Sequence, residues 1–303
     1  MGYRPEVGAS VDGIDLSGRT ALVTGATNGI GRETALALGR LGARILVHGR
    51  DRERGKAVVA ALDRAGAPDA GFYPADFTAL TAVEALAERL ADAARTIDVF
   101  VHNAGAHFHR GALTEDGVER TVAVNHLAPF VLTARLVDRL PDDGRIVVVS
   151  SDTHRRVGLD LDAFTDVADY DGLDAYSRSK LANVLFVRAL ADRLDGPTAN
   201  ALPPGFVPGS GIWRHGPLYV RAVVKLLAGL PRAVRPGVVR TPAEGAETPV
   251  YLAASPAVAD VTGAYFSDGE RVEPSATARD DALAERLWTA SERLTGVEWP
   301  ADG

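Results

Sequence analysis

Cysteine is absent from this 303-residue chain, which excludes disulfide bonds, thiolate catalysis and any metal site that uses sulfur ligands. Positive charge is also scarce. The chain has 33 lysines and arginines but 40 acidic residues. The resulting net charge of −7 argues against the basic surface of a nucleic-acid-binding protein. A chain without cysteine suits the reducing cytoplasm, and we expect the protein to work there.

Long apolar runs are missing as well. The chain offers no uncharged stretch long enough to span a membrane. Arg4, Glu6, Asp12 and Asp15 interrupt the region where the apolar part of a signal peptide would lie. We therefore expect a soluble globular protein that acts on a small molecule and binds neither a membrane nor a nucleic acid.

What the chain does contain is a regular alternation of short β-type runs and amphipathic helical patterns. The predicted strands are Thr20–Thr24, Arg44–His48, Gly71–Pro74, Val99–His102, Arg145–Ser150, Thr198–Leu202 and Ala264–Phe266. The predicted helices are Arg32–Leu41, Arg52–Ala65, Thr81–Ala94, Val118–Leu140 and Ala175–Leu194. Such alternation favours right-handed βαβ crossovers and a parallel sheet covered on both faces. The prediction is an α/β fold with a doubly wound parallel sheet of the Rossmann type, in one domain over 1–303 with its core at about 16–294.

Two segments break this rhythm. Residues 152–175 are polar, and residues 203–240 are rich in proline and glycine. Both follow strands, and long irregular segments inside a domain are usually lids or binding loops. We predict a substrate insert and a substrate lid. Phe206, Trp213 and Tyr219 in the second segment favour an apolar or aromatic substrate, although the helical pattern over 219–227 could instead pack into the core.

A glycine-rich turn follows the first predicted strand. Gly25, Gly29 and Gly31 let backbone amides approach a pyrophosphate at the start of a helix. Further along the chain, Tyr176 and Lys180 stand four residues apart in a helical pattern. They therefore share one face of that helix, where an ammonium group can act on a phenol.

These motifs occur in one order along the chain, with Asn103-Ala104-Gly105 between them and a serine pair ending the preceding strand. Together they resemble the short-chain dehydrogenase/reductase family, and the match extends from Leu16 to Leu294. The long spacing between Ser151 and Tyr176 resembles the retinol dehydrogenase-like branch, as do segments 240–248, 263–269 and 284–288.

The resemblance implies a nicotinamide dinucleotide site at the carboxyl ends of the strands. Its expected residues are Gly25, Thr27, Asn28, Gly29, Ile30, Gly31, Arg50, Asp76, Phe77, Asn103, Ala104, Gly105, Tyr176, Lys180, Pro204, Gly205 and Val207. In the family, Asp76 accepts from the adenine amino group, with Phe77 beside it. Asp76 could equally be the N-cap of the next helix. A family threonine that contacts the carboxamide is missing after Gly205, and Ser210 could replace it.

The second strand predicts which dinucleotide binds. NAD enzymes place an acid about 20 residues after the glycines, and by the family pattern this position falls on Gly49. Arg50 follows it, and a guanidinium can bind a 2′-phosphate through two hydrogen bonds. We predict NADP(H), although Asp51 could serve a ribose hydroxyl instead.

The resemblance also implies a catalytic set. Tyr176 exchanges a proton with the substrate oxygen, and we expect Lys180, together with the positive nicotinamide of the oxidised cofactor, to lower the pKa of its phenol. Ser151 donates a hydrogen bond to the same oxygen. Asn125 holds a water that links Lys180 to solvent. We expect no metal: His107 and His109 edge the substrate pocket, and His154 is structural.

The predicted function is an NADPH-dependent carbonyl reductase, which works in reverse as an alcohol dehydrogenase. The alternatives are epimerisation, dehydration or carbon–carbon double-bond reduction with the same cofactor, and a scaffold that binds NADP without catalysis. Relatives often form homodimers through the helices that carry Asn125 and Tyr176, and the long insert could block this pairing.

Overall fold

The computed structural model describes residues 3–208 and 239–300, and these form one eight-stranded sheet with helices on both faces. The strands are β1 Thr20–Val23, β2 Arg44–Gly49, β3 Ala70–Pro74, β4 Val99–His102, β5 Arg145–Val149, β6 Thr198–Leu202, β7 Ala264–Ser267 and β8 Glu270–Val272. Their order is β3-β2-β1-β4-β5-β6-β7-β8, and every neighbouring pair is parallel except β7 with β8. The predicted doubly wound α/β fold is confirmed.

The helices alternate with the strands. They are α1 Pro5–Gly8, α2 Gly29–Arg40, α3 Arg52–Ala65, α4 Leu80–Ala93, α5 Arg120–Val122, α6 Ala128–Leu136, α7 Gly172–Ala191, α8 Pro242–Gly245, α9 Glu247–Ala254 and α10 Asp281–Thr295. No helix in the described ranges is long and apolar enough to cross a membrane.

Alternate side chains along each strand pack into two separate apolar cores, one on each face of the sheet. Leu22 and Leu46 belong to the core under α4, α6, α7 and α10, whereas Val23 and Ile45 belong to the core under α2, α3 and α9. Successive strand residues point to opposite faces of a sheet, so strands buried on both faces read as continuous apolar runs. This is why the strands were visible in the sequence.

Several elements differ from the prediction. The single helix expected over Val118–Leu140 is divided into α5, a π-helical turn at Ala123–Leu127, α6 and a 3-10 turn at Val137–Arg139. The sheet has an antiparallel edge strand, β8, which forms a hairpin with β7. Helices α1, α8, α9 and α10 were not predicted either.

The segment predicted as an insert begins with a 3-10 turn at Asp152–Arg156 and passes another at Asp162–Phe164. Helix α7 then begins at Gly172, because Asp171 accepts hydrogen bonds from the amides of Leu173 and Asp174. Most of the predicted lid, 203–240, lies outside the described residues, together with Ser210, Trp213, Tyr219 and the helical pattern over 219–227. The domain boundaries stay a prediction.

Candidate active site

One large pocket opens at the carboxyl ends of β1 to β6, where a doubly wound sheet places its ligand. Nearly all the predicted site residues line it. The exceptions are Gly29, Gly31 and Asn125, which stand behind its wall. The pocket also receives side chains that the sequence did not single out, namely His48, Arg54, Asp152, Thr153 and Leu173.

The glycine turn that begins at Gly25 is shaped by close backbone approach. Gly25 has a φ of +64°, and a Cβ there would lie 2.8 Å from the Cα of Ala104. A Cβ on Gly31 would lie 2.7 Å from the carbonyl oxygen of Gly25. Helix α2 begins directly after Asn28, whose side chain does not cap it. The first-turn amides of α2 therefore have no side-chain cap beside the pocket, as an anion site requires.

Thr24 holds this turn against the Asn103 segment. Its hydroxyl accepts hydrogen bonds from the backbone N–H groups of Asn103 and Ala104, both at 3.0 Å. In return, the side-chain Nδ2 of Asn103 donates to the Thr24 carbonyl oxygen at 2.8 Å. Thr24 does not line the pocket, and only its place before Gly25 in the motif could have indicated this role.

Basic side chains lie at the far end of the pocket, beyond β2. Arg50 pairs with Asp76 at 3.6 Å, and both side chains are about half exposed. Arg54, one helical turn further along, also lines the pocket and pairs with Asp51 at 3.1 Å. Asp51 is the N-cap of α3, where its Oδ1 accepts from the Arg54 amide at 3.0 Å, so this acid has a structural task.

Asp76 is not the N-cap of the next helix. It accepts a hydrogen bond from the Thr78 amide at 3.1 Å, whereas α4 begins after Ala79, and Asp116 caps the Leu80 amide at 3.1 Å. Asp76 therefore forms a local turn at the end of β3 and keeps its carboxylate beside Arg50.

Gly49 is closely covered by Thr27. A Cβ on Gly49 would collide with the Thr27 side chain and lie 3.1 Å from its hydroxyl oxygen. An acid at position 49, the NAD-type arrangement, would therefore require Thr27 to move.

Tyr176 and Lys180, the predicted catalytic pair, lie on one face of α7 at the pocket wall. The Lys180 Nζ lies 5.6 Å from the centre of the Tyr176 ring and donates to the Val149 carbonyl oxygen at 2.9 Å. Burial raises the pKa of the Tyr176 phenol to about 12, against a smaller lowering by its hydrogen bond with Ser151. Among the protein groups, the loss of solvent therefore outweighs this hydrogen bond, and the lowering expected from Lys180 with the positive nicotinamide stays a prediction.

Burial also lowers the pKa of the Lys180 ammonium to about 8. The Lys180 side chain is almost completely buried.

The two serines at the end of β5 have different roles. Ser150 donates to the Lys180 carbonyl oxygen at 2.7 Å and so anchors α7. The Ser151 oxygen accepts from the Thr153 amide at 3.3 Å and the Thr153 hydroxyl at 3.2 Å, which leaves its own hydrogen to be donated toward the Tyr176 phenol.

Asn125 lies in the π-helical turn and is completely buried. Its Oδ1 accepts from the Ala106 amide at 2.7 Å, and its Nδ2 donates to the Ala106 carbonyl at 3.0 Å and to Ser179 Oγ at 2.9 Å. Ser179 donates in turn to the Tyr176 carbonyl oxygen at 2.7 Å. Both amide hydrogens of Asn125 are therefore engaged, and a water relay to Lys180 stays a prediction.

His107 lines the pocket and contacts Tyr176. Its ring meets the Tyr176 ring edge-on at 5.8 Å and the His109 ring edge-on at 4.4 Å. His109 is outside the lining. In the described ranges, no three His, Asp or Glu side chains come together as a metal site would need.

His154 is buried and bonded to the backbone of Ser151. Its Nδ1 donates to the Ser151 carbonyl oxygen at 2.8 Å, and its Nε2 accepts from the Ser275 amide at 3.1 Å. These bonds tie the insert to the segment after β8, in agreement with a structural role.

The segment after β6 closes the pocket from above. Pro204, Gly205, Phe206 and Val207 line it, and Val207 packs with Ile30 and Ala246 in a small apolar cluster. This contact joins the loop to the start of α2.

Comparison with known proteins gives one consistent result. The family model described as short chain dehydrogenase matches residues 19–214. The chain is 40% identical to dehydrogenase/reductase SDR family member 13 of Bos taurus over 93% of this chain and 74% of that protein. It is 38% identical to retinol dehydrogenase 14 of Homo sapiens over 93% of this chain and 88% of that protein.

Among solved structures, the angucycline C-6 ketoreductase LanV with bound NADP superposes with a TM-score of 0.66 at 28% identity, over 84% of this chain and 95% of that chain. Family model, relatives and structural neighbour thus agree with the pocket geometry. The chain belongs to the short-chain dehydrogenase/reductase family of oxidoreductases, in its retinol dehydrogenase-like branch.

Proposed function

We propose that the protein is an NADPH-dependent carbonyl reductase that interconverts an apolar ketone or aldehyde with its alcohol. The observation that carries this proposal is the pairing of Tyr176 with Ser151 and Lys180 at the pocket wall. The nicotinamide, when bound, supplies or accepts the hydride. Tyr176 then donates its phenolic proton to the carbonyl oxygen, and Ser151 donates a hydrogen bond to the same atom.

The residues present suit a dinucleotide. The first-turn amides of α2 have no side-chain cap and can donate to a pyrophosphate. The glycines of the turn carry no Cβ, so the ligand can approach the backbone closely. Arg50 and Arg54 support the choice of NADP, because two guanidinium groups flank the end of the pocket where a 2′-phosphate would lie. The exposed pair between Arg50 and Asp76 is worth only about 0–1 kcal/mol, so a phosphate can displace it.

The wall next to Tyr176 supports an apolar substrate. Leu173 and Phe206 line the pocket while remaining more than a third exposed, and His107 stands edge-on to the Tyr176 ring. Large side chains of this kind at a pocket mouth offer apolar contact area to a ligand that replaces water. A cytoplasmic location and a homodimer stay predictions from the sequence.

The test is a panel of aryl, alkyl and polyene ketones and aldehydes, incubated with NADPH or NADH. We expect faster consumption of NADPH, one equivalent per alcohol formed, and better turnover with apolar members. An epimerase would change the substrate without net consumption of the reduced cofactor, and a double-bond reductase would yield a saturated ketone. A protein that binds NADPH yet turns over no member would favour the scaffold alternative.

A further inference from the structure

His48 is a buried polar side chain at the pocket that the mechanism does not use. It lies near the carboxyl end of β2, only 2% exposed, and it lines the pocket beside Phe77. Strand β2 stands between β1 and β3 in the sheet. A side chain at this point can therefore contact the residues that follow β1 and those that follow β3.

The His48 ring bonds to both of those segments. Its Nδ1 accepts a hydrogen bond from the Gly25 amide at 3.3 Å, and its Nε2 lies 3.2 Å from the Ala75 carbonyl oxygen. Gly25 and Ala75 lie just beyond the ends of β1 and β3, and the ring gives a partner to one backbone group of each. The imidazole bridges the two.

These partners determine the tautomer of His48. A backbone N–H can only donate, so Nδ1 must be the acceptor and the proton must reside on Nε2, which donates to Ala75. Burial lowers the pKa of His48 to about 4, against the opposing effects of the Ala75 carbonyl and Asp76, and the nearby charges of Arg89 and Arg50 lower it further. The ring is therefore neutral at physiological pH.

A third contact connects the ring to the adenine end of the site. The rings of His48 and Phe77 stack with centres 4.1 Å apart and planes 8° from parallel. The backbone carbonyl of His48 also accepts from the Ala26 amide at 2.9 Å. One residue thus contacts the start of the glycine turn and the segment Ala75–Phe77.

We propose that His48 is a positioning residue of the dinucleotide site, which sets the glycine turn and the adenine wall at the spacing that one NADPH molecule requires. It contacts neither a reacting atom nor the substrate. The proposal rests on the proposed function, because it assumes that the dinucleotide spans these two segments.

Two substitutions separate the two hydrogen bonds of the ring. In His48→Asn, the side-chain oxygen stands near the Nδ1 position and can still accept from Gly25, while the bond to Ala75 and the stack on Phe77 are lost. In His48→Gln, the amide nitrogen stands near the Nε2 position and can still donate to Ala75, while Gly25 loses its acceptor. The ring stack on Phe77 is lost in both variants, so the two differ only in which hydrogen bond remains. His102→Gln is the matched control, because His102 is also buried at a strand end, outside the pocket, where its Nε2 contacts Thr133 at 2.9 Å.

Binding of NADPH and of 2′,5′-ADP, which lacks the pyrophosphate, is measured by calorimetry for each variant at fixed ionic strength. We expect His48→Gln to weaken NADPH about tenfold and 2′,5′-ADP less than about threefold, because one hydrogen bond to the turn is lost. His48→Asn should weaken both probes by a similar factor, since it releases the adenine wall. His102→Gln should bind both as the wild type does.

Equal binding by the wild type and both His48 variants would overturn the proposal. So would a uniform loss shared with His102→Gln, or failure of both His48 variants to fold, since His48 would then be an ordinary core residue. A wild type that binds neither probe would instead refute the dinucleotide site itself, and the role of His48 with it.

Discussion

Lys180 and Arg50 line the same pocket, yet Lys180 is 2% exposed whereas the Arg50 side chain is 46% exposed. Beside Tyr176, Lys180 is bonded to the backbone of another element through the Val149 carbonyl oxygen. At the end of the pocket beyond β2, Arg50 has one exposed partner, Asp76, at 3.6 Å.

The difference in burial between Lys180 and Arg50 indicates that the two side chains serve the pocket in different ways. Buried groups bonded to the backbone are held in place before any ligand arrives, which favours precise chemistry. Exposed charged groups are free to exchange partners, so they can select a ligand at little expense in stability. Substitutions at the two ends should therefore differ in kind, and the following predictions test that contrast, from the largest expected effect to the smallest.

Tyr176→Phe should remove turnover and leave NADPH binding nearly intact. Only the proton-transferring hydroxyl is lost, and acid–base catalysis of this kind is typically worth about 10²–10⁴-fold. Steady-state rates and NADPH titration measure both effects. Tyr251→Phe is the control, because it removes a phenol hydroxyl outside the pocket. Activity above about a tenth of the wild type would contradict the catalytic role of Tyr176.

Lys180→Met should inactivate the enzyme and yet stabilise the fold. The pKa of Lys180 falls from its ordinary value of 10.5 to about 8 on folding. The unfolded chain therefore binds more protons between these pH values, and the stability of the wild type rises with pH across that window. Below pH 8, burying the charge costs about 3 kcal/mol, which a methionine avoids. Asn183 also donates to the Val149 carbonyl oxygen, at 3.4 Å, so this acceptor should keep a partner in the variant.

The free energy of unfolding, measured by denaturant at pH 7 and at pH 10, tests this account. The gain in stability should be large at pH 7 and should shrink at the higher pH. Lys56→Met removes an exposed lysine and should change little at either pH. If Lys180→Met is less stable than the wild type at pH 7, the buried ammonium does not lower the free energy of unfolding and this account is wrong.

Arg50→Ala should weaken NADPH by about 1.5–3 kcal/mol, the scale of a hydrogen bond to a charged group. This corresponds to roughly ten- to hundredfold in affinity, while NADH should change little. Arg54→Ala should have a smaller effect in the same direction. Arg52→Ala is the control, because Arg52 begins the same helix outside the pocket. Equal losses for both dinucleotides would mean that Arg50 does not select NADP.

Most core strands and helices could be predicted from the sequence, because strands buried on both faces and amphipathic helices produce local hydrophobic patterns. The break inside Val118–Leu140 was missed although Pro129 lies within that run, where a proline marks the start of a new helix or a kink. The π-helical turn around Asn125 accompanies its bonds to Ala106 and Ser179. The antiparallel strand β8 was missed because it is only three residues long.

Within the site, the sequence by itself determined the residue types and their order: a glycine turn, a serine, and a tyrosine and lysine on one helical face. The tertiary structure decided which neighbours those residues have. It gave Ser150 an anchoring bond to α7, filled the space beside Gly49 with Thr27, and placed His48 between Gly25 and Ala75. Such contacts join segments far apart in the chain, and no local period or spacing encodes a distance between them.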